Sequence, residues 1–325
     1  MVELPLVSLL IPCYNHEEFL DDNLSSLVGQ DYENMELLIC DDCSPDGSYA
    51  KIRGWEERLR SRFSRVELLR NEVNCGVTKN INRMLALAKG DIIKILASDD
   101  AMMPDTVSAA VACMRETHAD VLIVNGFKVP EDRHFPHFGD GEAVYAQAPD
   151  LSGDGLFVRT ALRNDIFAPG AFISREVFRR CGTYDESIPV EDFEFWLRLA
   201  KGGEVRFSYL DRPLICYRVS AGSISSQTGN AGLERRRRMF HRAEMDTLRK
   251  YASDLPREVY AEAVLRRILD ERYLAVNAGL ADWNRELRRE WSDFPYRNAL
   301  PWKNRIRYWV RGKKLDIKGK RETMQ

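Results

Sequence analysis

Three pairs of adjacent acids stand out as able to do chemistry: Asp41-Asp42, Asp99-Asp100 and Glu191-Asp192. The carboxylates of Asp99-Asp100 follow an apolar run and offer oxygens to a hard divalent ion, Mg²⁺ or Mn²⁺. Such an ion keeps several waters and bridges to phosphate. The competing use is a helix N-cap, because Pro104 opens a helical stretch a few residues on. Asp42 can accept the N–H of a base ring, or it can close an Asx-turn around Ser44-Pro45-Asp46. Tyr14, close to Pro12, can lie against a base face or sit as a half-buried loop aromatic. Glu191-Asp192 can take a proton from a hydroxyl. It can equally serve a helix N-terminus, where the macrodipole favours acids. Cys40 and Cys43 have no second pair at zinc-ribbon spacing, so they read as a buried strand cysteine followed by a loop cysteine.

These residues need a scaffold, and the chain alternates strand and helix to provide one. Apolar runs at Val7–Ile11, Met35–Cys40, Val66–Leu69, Asp91–Ala97 and Val121–Val124 read as buried strands. Helical spacing appears between them. Phe19, Leu20, Leu24, Leu27 and Val28 form one face, a polar stretch over Tyr49–Ser61 a second helix, and Ile81, Met84, Leu85 and Ala88 a third. Val107, Ala110, Val111 and Met114 follow Pro104 as a fourth. This alternation argues for a mostly parallel sheet covered by helices. Ligands bind such sheets beyond the carboxyl ends of the strands. Cys13-Tyr14-Asn15, Asp41-Asp42 and Asp99-Asp100 all fall at those ends, so the fold is expected to gather them at one edge. Residues 128–165, rich in Pro, Gly, His and Asp, read as a long loop. Val205–Tyr209 and Leu214–Val219 look like strands. From about residue 230 onward the chain reads as successive helices.

At 325 residues the chain has room for about two domains. Its 44% hydrophobic and 30% charged content exclude a disordered chain and a small disulfide scaffold. Seven scattered cysteines suit a reducing compartment. No apolar stretch is long enough for a membrane span, and the N-terminus lacks the basic start of a signal peptide. These features lead to the expectation of a cytoplasmic protein. The net charge of −2 hides an asymmetry: residues 1–230 hold 24 Lys+Arg against 36 Asp+Glu, and residues 231–325 hold 24 against 14. An acidic front and a basic tail suggest two jobs.

Taken in order, VSLLIPCYN (7–15), CDDCSPD (40–46), Asn74-Cys75-Gly76, AKGD (88–91), Ser98-Asp99-Asp100, GTYDE (182–186), EDFEFWLRL (191–199) and Arg212-Pro213-Leu214 with Tyr217-Arg218 resemble the inverting family 2 glycosyltransferases. The resemblance spans about residues 5–225. It implies an α/β, GT-A (Rossmann-like) fold with a mixed, mostly parallel sheet flanked by helices. Residues 1–225 would be the catalytic domain and 226–325 a mainly helical, basic extension.

The resemblance also implies roles. Pro12, Tyr14 and Asn15 would line the base and ribose pocket, with Asp42 hydrogen-bonded to the base. Asp100 would bind Mn²⁺ or Mg²⁺, with Asp99 near the ribose or the ion. Asp192 would be the catalytic base, supported by Glu191. Gly170 and Ala171 would line the acceptor side, and Trp196 would pack beneath it. Arg218 is a candidate phosphate partner. Two positions depart from the family pattern: Ile81-Asn82 replaces a frequent Arg-Asn, and Ser220 stands where many members carry a metal-binding His.

The implied reaction moves a sugar from a nucleoside diphosphate, with UDP favoured because Asp42 suits the N3–H of uracil, to a hydroxyl of a glycan or lipid-linked acceptor. Bacterial surface polysaccharide synthesis is the expected setting. A nucleotidyltransferase would want a basic, Gly-rich loop after the first strand, and Cys13–Phe19 has neither Gly nor Lys. A non-catalytic module that binds a nucleotide sugar is the alternative, and it predicts loss of Asp100 or Asp192.

The last segment has its own signature. Trp302, Ile306, Trp309 and Val310 fall on one helical arc, and residues 301–321 carry nine Lys+Arg and one acid, Asp316. That pattern suits the anionic inner face of a membrane. It equally suits a helix that packs its tryptophans inward. The acidic front argues against nucleic acid.

Overall fold

The computed structural model describes residues 4–134, 141–151, 153, 155–188, 191–219 and 232–322. They divide into two compact units. The first comprises Met1–Leu156, Asp165–Ser187 and Arg198–Val219; the second comprises Phe157–Asn164, Ile188–Leu197 and Ser220–Gln325.

The first unit is built on strands β1 (Val7–Cys13), β2 (Met35–Asp41), β3 (Arg65–Arg70), β4 (Ile92–Ile95), β5 (Ala101–Met102), β6 (Val121–Pro130), β7 (Glu142–Ala143), β8 (Ala171–Ser174) and β9 (Phe207–Val219). They form one sheet in the order β3-β2-β1-β4-β8-β6-β9-β5, with β7 on β6. The pairs β1/β2, β1/β4, β2/β3 and β6/β9 are parallel, while β8 runs antiparallel to both β4 and β6. Val7, Leu9, Leu10, Ile11, Leu37, Leu38 and Ile39 are all buried, although successive residues point to opposite faces of a strand. The central strands are therefore covered on both sides, as a parallel sheet requires.

Helices α1 (Leu20–Val28), α2 (Ser48–Gly54), α3 (Glu56–Arg62), α4 (Val77–Leu87) and α5 (Thr106–Thr117) link these strands. The single helix expected over 49–61 is two. Gly54 weakens the helix there, and the Trp55 indole is pinned to Asp21 at 2.9 Å. Residues 128–165 are not a plain loop: they contain the end of β6, β7 and helix α6 (Leu156–Leu162). The two late strands are one, β9, whose pairing with β6 shifts register at Asn125 opposite Pro213. Proline has no N–H for the ladder, so the irregularity sits where the sequence cannot sustain pairing.

The AKGD motif has a structural cause. Glu36, buried in β2, accepts hydrogen bonds from Ser8 Oγ (2.6 Å), Lys89 N (2.5 Å), Gly90 N (3.1 Å) and Arg65 Nη1 (2.8 Å). Burial opposes ionisation of Glu36, but these donors hold its carboxyl below its ordinary range. A Cβ on Gly90 would stand 2.5 Å from Ser8 Oγ and 2.6 Å from Ser8 N, so only glycine fits where the chain enters β4.

β4 carries an unexpected buried cation. Lys94 is wholly inside, donates to the Pro169 and Ala171 carbonyls, and sits 5.0 Å from the centre of the Phe172 ring. Burial pushes its pKa down to about 7, with Asp100 acting in the other direction.

Helices α7 (Arg175–Cys181) and α8 (Glu191–Gly202) follow. The second unit takes the first part of α8 together with α9 (Leu233–Lys250), α10 (Arg257–Asn277), α11 (Ala281–Asp293) and α12 (Trp302–Glu322). α10 is buried around much of its circumference, at Ala261, Val264, Leu265, Ile268 and Leu269. That makes it the centre of the unit. Buried arginines join the helices: Arg237 to Glu271, Arg267 to Glu244 (3.0 Å) and the Ala161 carbonyl (2.7 Å), and Arg272 to Asp316 (2.6 Å). Three of the region's basic residues thus serve as internal ties.

Two predictions follow from β4 and its entry. Gly90→Ala is expected to lower stability by about 1–3 kcal/mol through overpacking, measured by urea unfolding. Folded Lys94 releases its proton near 7, whereas in the unfolded chain it does so near 10.5. Between those pH values the unfolded chain binds the extra proton, so stability rises with pH. Lys94→Met is expected to flatten that rise relative to the unsubstituted protein.

Candidate active site

The parallel strands deliver the first two polar clusters side by side. Pro12 pairs with Cys40, Cys13 pairs with Asp41, and Asp42 N donates to the Cys13 carbonyl at 2.9 Å. Pro12 is half-buried, while Tyr14 is 46% exposed at the rim. Asn15 has a left-handed backbone (φ 57°), and its N–H donates to Ser44 Oγ at 3.0 Å. That bend turns the chain away from the sheet and leaves Tyr14 outermost.

The third cluster arrives from β4. His16 Nδ1 lies 2.8 Å from Ser98 Oγ and 3.8 Å from Asp99 Oδ1. Asn23 Nδ2 donates to the carbonyls of Ala97 (3.1 Å) and Asp100 (2.8 Å), fixing the loop that carries the acid pair. The three clusters therefore meet at the carboxyl edge of β1, β2 and β4. Because β8 is antiparallel to β4, its first residues lie at that same edge. Gly170 and Ala171, both buried, are there, and a Cβ on Gly170 would collide with the Val124 carbonyl.

The acids differ sharply in environment. Asp42 is buried and already engaged. Its Oδ1 accepts from Asn71 Nδ2 (2.8 Å) and Cys75 N (2.7 Å), and its Oδ2 from Gly76 N (2.8 Å). Asn74-Cys75-Gly76 is thus a strap that Asp42 holds, with Gly76 at φ 88°. The adjacent Asp41, which sequence reasoning passed over, is buried. It takes Ser44 N (3.2 Å) and Arg70 Nε (3.3 Å) on Oδ2, while its Oδ1 has no partner among the described residues.

Asp100 is buried and accepts from Arg218 N at 2.9 Å. Burial, together with the neighbouring charge of Asp99, raises its pKa well above the carboxylate range. A carboxylate held in that state is one a cation would relieve. Among the described residues no three His, Cys, Asp or Glu side chains cluster as a metal cage. Two carboxylates with open valences still fit an ion that takes one or two protein oxygens and fills its shell with waters and phosphate.

Arg218 is placed differently from a phosphate clamp. It is buried at the end of β9 and donates from Nε to the Asp99 carbonyl (2.9 Å). Its Nη1 reaches the carbonyls of Glu131 (2.9 Å) and Arg133 (2.5 Å), and its Nη2 reaches Asp22 Oδ2 (2.9 Å). Its guanidinium also stacks 4.7 Å from the Phe19 ring centre. It braces the acid loop. Asn82 likewise joins the fold, bonding the backbone of Tyr184 in both directions at 2.9 and 3.1 Å.

In the second unit, Asp192 lies in the first turn of α8, half-buried, with Asn164 Nδ2 3.4 Å from its Oδ2. Burial raises its pKa, and the charge of Glu244 adds to the rise. Asn164 was hidden in the segment read as loop. Trp196 is buried against Phe195, ring centres 5.3 Å apart. Phe193 and Leu197 pack into the helical core. The side chain of Glu191, and Ser220 entirely, lie outside the described residues.

Comparison with known proteins places the chain in a family. The profile of "Glycosyl transferase family 2" matches residues 8–182, more than half of the chain. One curated relative is the Escherichia coli UDP-Glc:alpha-D-GlcNAc-diphosphoundecaprenol beta-1,3-glucosyltransferase WfgD. It is 28% identical over 224 residues, covering 68% of this chain and 80% of that protein. The solved structure of Staphylococcus aureus TarS residues 1–349 in complex with UDP-GlcNAc superposes with a TM-score of 0.61 at 20% identity, covering 98% of this chain and 90% of that one. The chain spans about half (53%) of a longer TarS structure. A Pyrobaculum calidifontis mannosyltransferase, PcManGT, solved with GDP-Man and Mn²⁺, gives a TM-score of 0.57 at 17% identity, covering 97% of this chain and 88% of that one. The chain belongs to glycosyl transferase family 2 and is a glycosyltransferase of the GT-A fold.

Proposed function

We propose that the protein moves a sugar from a nucleoside diphosphate, UDP by preference, to a hydroxyl of a glycan or lipid-linked acceptor in bacterial surface polysaccharide assembly, inverting the anomeric carbon. The observation that carries this reading is the buried Asp100 beside Asp99, on the edge shared with Asp41-Asp42 and Tyr14. The printed names of the relatives support the substrate classes. WfgD is named for a UDP-Glc donor and a diphosphoundecaprenol-linked acceptor, and TarS was solved with UDP-GlcNAc.

The base sits between Pro12, Tyr14 and Asn15. Asp42 hydrogen-bonds the base from beside the 74–76 strap that it holds. Asp99 and Asp100 hold Mn²⁺ or Mg²⁺, which when bound offsets the charge of the diphosphate leaving group. Arg218 keeps their loop in place. Asp192, supported by Glu191 and oriented by Asn164, removes the proton of the acceptor hydroxyl as it attacks. Trp196 forms a rigid base under the acceptor side, and Gly170 and Ala171 give close backbone approach. Residues 1–225 form the catalytic domain and 226–325 the basic helical region.

No helix among the described residues is long and apolar enough to cross a membrane. The protein works on the cytoplasmic side, and residues 301–321 rest on the anionic inner face.

Asp192→Asn is expected to cut turnover by about 10²–10⁴-fold while UDP affinity, read by calorimetry, stays within about twofold. A base must be ionised, so kcat/KM should fall as pH drops through a midpoint lying above the ordinary carboxylate range. A midpoint within that range would contradict the buried base. Asp100→Ala is expected to abolish the Mn²⁺-dependent part of UDP binding. Equal UDP binding by this variant, with and without Mn²⁺, would match the expectation, whereas an unchanged metal response would remove Asp100 from the site.

A further inference from the structure

α12 carries a buried apolar stripe and an exposed one beside it. Tyr308, Gly312 and Leu315 are buried, with Tyr308 and Leu315 packing on Ala261, Leu265 and Leu269 of α10. Trp302 (61% exposed), Ile306 (53%), Trp309 (59%) and Val310 (39%) form the exposed stripe, within about 100° of arc at 100° per residue. The tryptophans are therefore not core residues of this helix.

Beside them lies a cavity of about 390 Å³, within the size range of ligand pockets. Its apolar walls include Leu265, Trp291, Trp302, Ile306 and Trp309, and Arg305 is its one charged lining residue. Lys303 and Lys313 lie 5.7 and 5.8 Å from the ring centres of Trp302 and Trp309, so their charges travel with the rings. Arg307 and Lys314 are exposed on the flank.

We infer that this cavity receives a hydrocarbon chain of an anionic phospholipid bilayer, with Arg305 on the headgroup phosphate. The inference rests on the membrane-surface reading given above and adds to it a seat for one lipid chain. Charge decides the occupant. The stripe is flanked by cations, so a second copy of the same helix would meet like charge, whereas an anionic headgroup layer meets opposite charge. Indole rings also favour the membrane interface, and lysine stems reach back to the headgroups while their rings enter.

The test uses the full chain with vesicles of phosphatidylglycerol and phosphatidylcholine, carrying bromine in the acyl chains. Binding should be accompanied by quenching of tryptophan emission, and Trp291→Phe/Trp302→Phe/Trp309→Phe should remove most of the quenched fraction, because these three indoles line the cavity. Ile306→Glu should weaken vesicle binding at least tenfold with unchanged circular dichroism and UDP affinity, because the side chain is exposed in the free protein. Binding that is erased by salt and brings no quenching would overturn the lipid seat and leave the surface reading standing. Absence of binding to anionic vesicles would overturn both. Equal quenching in the triple Phe variant would also defeat the assignment, because the emission would then come from tryptophans outside the cavity.

Discussion

The first unit depends on one buried guanidinium. Arg218 ends β9, yet its side chain ties together the Asp99 carbonyl, Asp22 of α1 and the carbonyls of Glu131 and Arg133 beyond β6. Its own N–H meets Asp100. A charge taken from water to this depth is costly unless its donors are matched, and here acceptors from three parts of the chain match them. Because that one group requires all of those partners, the acid loop has little freedom to wander. Asp100 then keeps its carboxylate in a place where protonation is favoured until positive charge arrives.

Much of the scaffold was readable from the residues. The strand–helix alternation, and the gathering of polar clusters at the strand ends, follow from periodicity and the direction of parallel strands. The boundaries that failed were set by tertiary contacts. Trp55 splits α2 from α3 by reaching Asp21, and Pro213 bends a strand without ending it.

Site chemistry was legible by position more than by role. Asp42 stands at the strand end, where its oxygens hold the 74–76 strap, while the neighbouring Asp41 is turned into the interior. Local sequence cannot say which of two adjacent acids faces which partner, since they point to opposite sides of a strand. Lys94 is a polar residue inside an apolar run, a signal that was present and passed over. Asn164 had no local signal, because its relation to Asp192 exists only after folding. In the C-terminal region, composition announced a basic surface, and the structure spends Arg237, Arg267 and Arg272 as internal ties.

The Glu36–Gly90 contact bears on how kinship should be read. Glycine at that turn answers to the backbone crowding of Ser8 and to nothing in the reaction. A descendant that had abandoned sugar transfer would still need it in order to fold. Pseudoenzymes and working enzymes would thus share this motif, and sorting one from the other requires inspecting the acids on the loops.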